Sequence, residues 1–186
     1  MLTINTEKQE FYLNDGDGYR FFHSKPAKIN LEHSLISVSK WEGIWKKPYL
    51  PVTGVESGII SVQEELSYIS CMIIGKVGDL IPTVLRTYHT EEITDYINDQ
   101  RTATKIYRLG NTPVASRTTV TSELVYYWMI KFGIPFQFEK WHFNRLLTLI
   151  DVCNIKENEG RKGGNMSSIE SAKHRTQLNK MRRAQG

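Results

Sequence analysis

The sequence predicts a mostly helical α+β protein: a compact helical body, an N-terminal β-hairpin, a short second hairpin and a flexible basic C-terminal helix. Three observations carry that expectation. Aromatic-rich runs, "EFYL" and "GYRFFHS", flank "NDGDG" near the start, and Asp-Gly pairs between such runs signal a hairpin. Beyond residue 31, apolar residues recur at three- and four-residue steps through most of the chain, the period of a helix with one buried face. The composition then turns polar and Gly-rich at "KENEGRKGGNMS", as in a flexible linker. The expected boundaries are 1–30 for the hairpin segment, 31–156 for the helical body and 157–186 for the linker and basic helix.

Each element has its own signal. Gly tolerates the positive φ of a tight turn at "NDGDG". The pair Asp15 and Asp17 has the spacing that starts a calcium loop, but the further ligands and late Glu of such a loop are missing; the stretch reads as a turn. In "LEHSLISVSKWEGIWKKPYL", Leu31, Leu35, Val38, Trp41 and Trp45 form one helix face, which Pro48 stops. Trp41 and Trp45 lie one above the other, either as core or as an exposed aromatic anchor for a partner. "SVQEELSYISCMIIG" offers a capping box, Ser61 with Glu64. Its expected stripe is Leu66, Ile69, Met72 and Ile73, and Gly75 is the expected C-terminal cap. "IPTVLRTY" reads as a short helix or turn. "TEEITDYIND" reads as a helix with Thr90 as N-cap and two acids in its first turn.

"TATKIYRL" and "SRTTVT" are rich in β-branched residues and surround "GNTPVA", which predicts the second hairpin. "TSELVYYWMIKFG" resumes helical spacing, capped by Thr121 or Ser122 and closed by Gly133. It is apolar almost all round, so it is expected to be buried centrally. "FEKWHFNRLLTLIDVCNIK", residues 138–156, reads as one long helix with Phe138, Trp141, Leu146, Leu149, Ile150 and Cys153 along its stripe. A fully buried Trp141 would cost roughly 3–5 kcal/mol on truncation to Ala. The final segment carries a second capping box, Ser167 with Glu170, but few apolar residues; it is expected to stay frayed or free until it meets a partner.

Hydrophobic residues make up 40% of the chain, enough to bury a core in one domain with appendages. No apolar run approaches the roughly 18 residues needed to span a bilayer. The first residues lack a basic stretch followed by an apolar one, so no export signal is read and the cytosol is the expected location. Cys71 and Cys153 are read as buried thiols and not as a disulfide framework. The net charge of +4 is concentrated at one end. Residues 157–186 hold seven basic residues against three acidic ones, and residues 1–156 hold 17 of each sign. The basic arm offers Lys173, Arg175, Lys180, Arg182 and Arg183 as partner-binding candidates, joined by Trp41 and Trp45. Its basic character fits a phosphate partner, and an acidic protein surface equally well; its modest charge and lack of interleaved aromatics disfavour nucleic acid.

Catalytic patterns are missing from the sequence. There is no phosphate-cradling Gly-rich loop, zinc spacing, H-E-x-x-H or G-x-S-x-G. No cofactor is implied, and no enzyme is expected. The five histidines are scattered along the chain. His142 and Cys153, read on one helix, are eleven residues apart, about 16 Å at the helical rise; a nucleophile and its base need hydrogen-bond reach. Trp141, His142, Asn144 and Arg145 are therefore read as structural fasteners of element ends.

Three blocks carry a resemblance: "LEHSLISVSKWEGIWKKPYL", "TSELVYYWMIKFGIPFQFEKWHFNRLLTLIDVCNIK" and the ending "S…QLNKMRRAQ". In this order, and covering most of the chain, they resemble a family of small proteins from the tail gene clusters of tailed bacteriophages, commonly described as tail assembly chaperones. The resemblance implies a non-enzymatic role in the host cytoplasm, binding the tape measure protein while the tail tube polymerises around it, with self-association left open. The alternatives are a structural tail or baseplate component retained in the virion, and a nucleic-acid-binding accessory protein.

Overall fold

The fold is mostly helical α+β, with small antiparallel sheets formed largely by the N-terminal residues. The computed structural model describes residues 1–14, 18–50, 59, 61–106 and 119–158. By compactness the chain divides into Met1–Thr148 and Leu149–Gly186.

The runs around the expected turn pair as β2 (Gln9–Asn14) and β3 (Tyr19–Ser24), from Gln9 opposite Ser24 to Asn14 opposite Tyr19. The turn itself, with Asp15 and Asp17, lies outside the described residues. The same register continues through β1 (Leu2–Thr6) and β4 (Ala27–Leu31), with Leu2 opposite Leu31 and Thr6 opposite Ala27. One long hairpin therefore occupies the whole segment, interrupted near Pro26, which has no N–H for a ladder. Hydroxyls bridge the interruption. The Ala27 N–H donates to Thr6 Oγ1 (3.1 Å), Thr6 Oγ1 donates to the Ala27 carbonyl (3.2 Å), and the Gln9 N–H donates to Ser24 Oγ (3.2 Å). Ile4, Ile29 and Leu31 are buried on one face of the lower half, as strand alternation requires. Leu31, expected on the first helix, instead ends β4: the strand's alternation places it on the same face as Ile29.

Helix α1 (Leu35–Trp45) buries Leu35, Val38 and Trp41 and packs on the helices at Val62–Met72 and Ser122–Lys131. It ends before Pro48, at Lys46, whose φ of 56° is left-handed and whose N–H donates to the Glu42 carbonyl. Helix α2 (Val62–Met72) starts on the expected capping box. The Glu64 N–H donates to Ser61 Oγ (3.2 Å) and the Ser61 N–H donates to Glu64 Oε2 (3.1 Å). Its buried stripe is Tyr68, Ile69 and Met72, with Leu66 half-buried. Ile73 does not continue the stripe. It leaves the helix to begin β5 (Ile73–Ile74), which pairs with Asn30 and Leu31 of β4. Gly75 therefore ends a strand and not a helix, with φ +96°.

Helix α3 (Ile81–Tyr88) has Pro82 in its first turn, where a missing N–H costs nothing. Helix α4 (Thr90–Asn98) is preceded by His89 as N-cap, so Thr90 is its first residue and its hydroxyl donates to the Arg86 carbonyl. Of the second expected hairpin, residues 102–106 and 119–121 carry no strand; the remainder lies outside the described residues.

Helix α5 (Ser122–Lys131) begins after Thr121 and is followed by Gly133 at φ +64°. It is not buried all round. Ser122, Val125 and Met129 are buried, but Tyr127 is 56% and Ile130 64% exposed. Composition suggests a central helix; neighbours cover only one side of it. The stretch 138–156 is not one helix either. A 3₁₀ turn (Phe136–Lys140) comes first, and His142 forms an isolated antiparallel bridge with Ser34. Helix α6 runs through residues 143–158. Pairing with Ser34 takes extended backbone at His142, and that breaks the helix at the Trp-His pair.

Ser61→Ala removes half of a reciprocal cap and is expected to lower stability by about 1 kcal/mol. A urea midpoint shift with unchanged m-value is the check.

Candidate functional site

Two of the five histidines that look scattered in sequence, His33 and His142, meet in space. His33 lies between β4 and α1 and is 1% exposed. Its N–H donates to the Tyr96 hydroxyl of α4 (3.3 Å), its carbonyl accepts from the Phe143 N–H of α6 (2.9 Å), and its Nδ1 hydrogen-bonds to the Tyr68 hydroxyl of α2. The ring meets His142 with centroids 5.0 Å apart and Phe143 edge-on at 5.7 Å. Burial, aided by the nearby His142, pushes the His33 imidazole from its ordinary 6.5 down to about 3. It is neutral near pH 7 and fully buried, and its bonds to three helices make the cluster a polar joint inside the core.

The four expected fasteners divide into two pairs. His142 Nε2 bonds to the Tyr96 carbonyl (2.8 Å); since a carbonyl only accepts, the proton sits on Nε2. Its Nδ1 is buried without a partner among the described residues. Burial lowers the His142 pKa, and the Tyr96 bond partly opposes that. Asn144 Nδ2 donates to the carbonyls of Ile97 (2.8 Å) and Asp99 (3.1 Å). Carbonyls at a helix C-terminus lack intrahelical donors, and Asn144 supplies one to the end of α4. Trp141 and Arg145 do something else. Trp141 is only half-buried. It stacks on Phe138 (4.0 Å, 13°), and the Arg145 guanidinium lies 4.0 Å from the centre of its ring. The expectation of a fully buried Trp141 is corrected, because the extended turn at 141–142 puts Phe143 and Leu146 in the core instead.

The tryptophan pair on α1 also divides. Trp41 is fully buried and its Nε1 donates to the Glu64 carbonyl (3.0 Å). It is core, not an anchor for a partner. Trp45 is half-buried, with its Nε1 unpaired among the described residues. Beside it a carboxylate that no motif announced does structural work. Glu42 Oε1 accepts from the Tyr49 N–H (2.8 Å), and Oε2 accepts from the Ser122 N–H (2.7 Å). A negative charge at the first turn of α5 meets the positive end of the helix dipole. Glu64, also mostly buried, pairs with Lys47 at 2.7 Å.

Lys173, Arg175, Lys180, Arg182 and Arg183 lie outside the described residues. Cys71 and Cys153 are free and half-buried, not buried; Cys71 sits on the flank of the Tyr68–Met72 stripe, and burial raises its pKa. Among the described residues no three His, Cys, Asp or Glu side chains form a metal-holding group, and no helix is long and apolar enough to cross a membrane. No protein-family model, curated protein or solved structure matches the chain.

Trp141→Ala is expected to cost about 1–2 kcal/mol, the worth of one aromatic stack and one partly exposed cation–π contact; thermal or urea melts read it. The depressed pKa of His33 makes the fold sensitive to acid. The unfolded chain takes up this proton near pH 6.5 and the folded chain only near 3. The associated stability is complete above about 6.5 and is lost toward pH 3, at up to about 1.4 kcal/mol per pH unit. Urea midpoints at pH 7 and pH 5 should differ less in His33→Gln than in the parent.

Proposed function

We propose that the chain is a non-enzymatic assembly factor of a bacteriophage tail, binding the tape measure protein in the host cytoplasm. The reading starts from the resemblance of its sequence blocks to tail assembly chaperones. The observation that carries it furthest is the uncovered side of α5. Tyr127 and Ile130, three residues apart and so on one face, are both more than half exposed, and Phe136 just beyond the helix is 56% exposed. Large apolar side chains left in water on one helix face, as Tyr127 and Ile130 are, mark a place where another protein binds. A helical partner with an apolar face would cover such a surface.

Co-expression with the tape measure protein of the same tail gene cluster tests this. The two are expected to co-purify, and Tyr127→Glu with Ile130→Glu is expected to weaken the complex about tenfold or more while leaving the melt of the free chain unchanged. Mass spectrometry of purified particles is expected to find the chain absent. Stoichiometric copies in the virion would instead make it a structural tail component.

A further inference from the structure

Strand β4 has an open edge. β5 pairs only with Asn30 and Leu31, and Gly75, at φ +96°, marks where the chain leaves that track. Backbone groups of a strand alternate in direction. The Glu32 N–H donates toward β5, to the Met72 carbonyl, while the Ala27 N–H donates toward β1, to Thr6 Oγ1. Lys28 shares the parity of Asn30 and Glu32, so its N–H and carbonyl point into the track that β5 vacates. An unpaired edge of this kind is a template for another strand.

A groove of about 740 Å³ runs beside this edge, between β3–β4 and the segment before α3. Phe22, Ile29 and Ile81 supply apolar lining; Lys25, Lys28 and Lys76 supply positive charge. These lysines form no ion pair with a described residue, and Asp79 is the one acid among the described residues of the lining. Lys28 and Ile29 are adjacent on the strand and so face opposite ways. An incoming strand would meet charge on one of its faces and apolar surface on the other.

We propose that this groove binds an acidic, extended segment of a partner protein, which adds to the open edge of β4 in the track beyond β5. Main-chain bonds to Lys28 would give affinity, and carboxylates facing the three lysines would give selectivity. Charge decides among the occupants. The chain's own C-terminal arm carries seven basic residues against three acidic ones and would be repelled. A second copy paired edge to edge about a two-fold axis would bring these lysines toward their own counterparts. The inference does not depend on which assembly the chain serves.

The test uses the full chain and a fluorescein-labelled Glu-Val-Glu-Val-Glu-Val peptide, read by fluorescence anisotropy. Binding is expected at low salt, weakening as salt rises. It should fall about tenfold in Lys28→Glu with Lys76→Glu, at two exposed positions whose replacement should leave the melt unchanged. A peptide N-methylated at its central residues should also bind about tenfold more weakly, because it cannot pair. The proposal is overturned by absence of binding at low salt, or by equal affinity for Lys-Val-Lys-Val-Lys-Val. Indifference to the double substitution or to N-methylation would do the same. Sedimentation of the chain alone closes the remaining route: a dimer abolished by Lys28→Glu would assign the edge to a second copy and overturn it too.

Discussion

The fold of residues 1–148 depends on the way His33 is held. It sits where the hairpin ends and the helices begin, and its N–H, carbonyl and ring nitrogen are engaged by α4, α6 and α2 respectively. An unmade bond at any of these buried groups would cost about 1–3 kcal/mol, so the three helices are constrained to one arrangement around one residue. The joint is polar inside an apolar core, and that gives it direction. Apolar contacts alone would tolerate sliding; three hydrogen bonds to separate helices do not. His142 extends the joint, bonding to the Tyr96 carbonyl while its backbone bridges Ser34.

The other long-range ties follow the same pattern of one element completing the end of another. Glu42 of α1 accepts from the first turn of α5, eighty residues away. Asn144 of α6 donates to the Ile97 carbonyl of α4 and to the Asp99 carbonyl at its C-cap. Trp41 of α1 also crosses to α2, where its Nε1 donates to the Glu64 carbonyl, although that carbonyl lies in the first turn and not at an open helix end. Helix ends carry backbone groups with no intrahelical partner, and here side chains from other helices supply partners. His33, His142, Glu42 and Glu64 are all engaged in such ties, while Tyr127 and Ile130 of α5 stay exposed.

The N-terminal hairpin and the helices α1 to α5 were legible because they rest on local rules. The capping box at Ser61 and Glu64 needs only three residues of separation, and the hairpin needs only alternation and a turn. Misreadings came where a distant contact overrode a local preference. Composition placed α5 at the centre, but only Ser122, Val125 and Met129 are buried and Glu123, Tyr127 and Ile130 are exposed. Helical spacing ran through Trp141 and His142, but bridging Ser34 opens the backbone there. Leu31 fitted a helical face and equally fitted a strand face, and β1 decided between them. Glu42 gave no signal, since a carboxylate on a helix reads as solvated until its partners are known.

What this sequence determined by itself is the N-terminal hairpin, the helices α1 to α5 in their order and the concentration of charge in the C-terminal arm, because period, capping and turn chemistry act within a few residues. What only the tertiary structure decided is which residues meet: His33 with His142, Tyr68 and Tyr96, and Glu42 with Ser122. Those pairings join positions 35 to 109 residues apart. The free energy that selects them comes from burying polar groups with partners, a quantity undefined until the helices are packed.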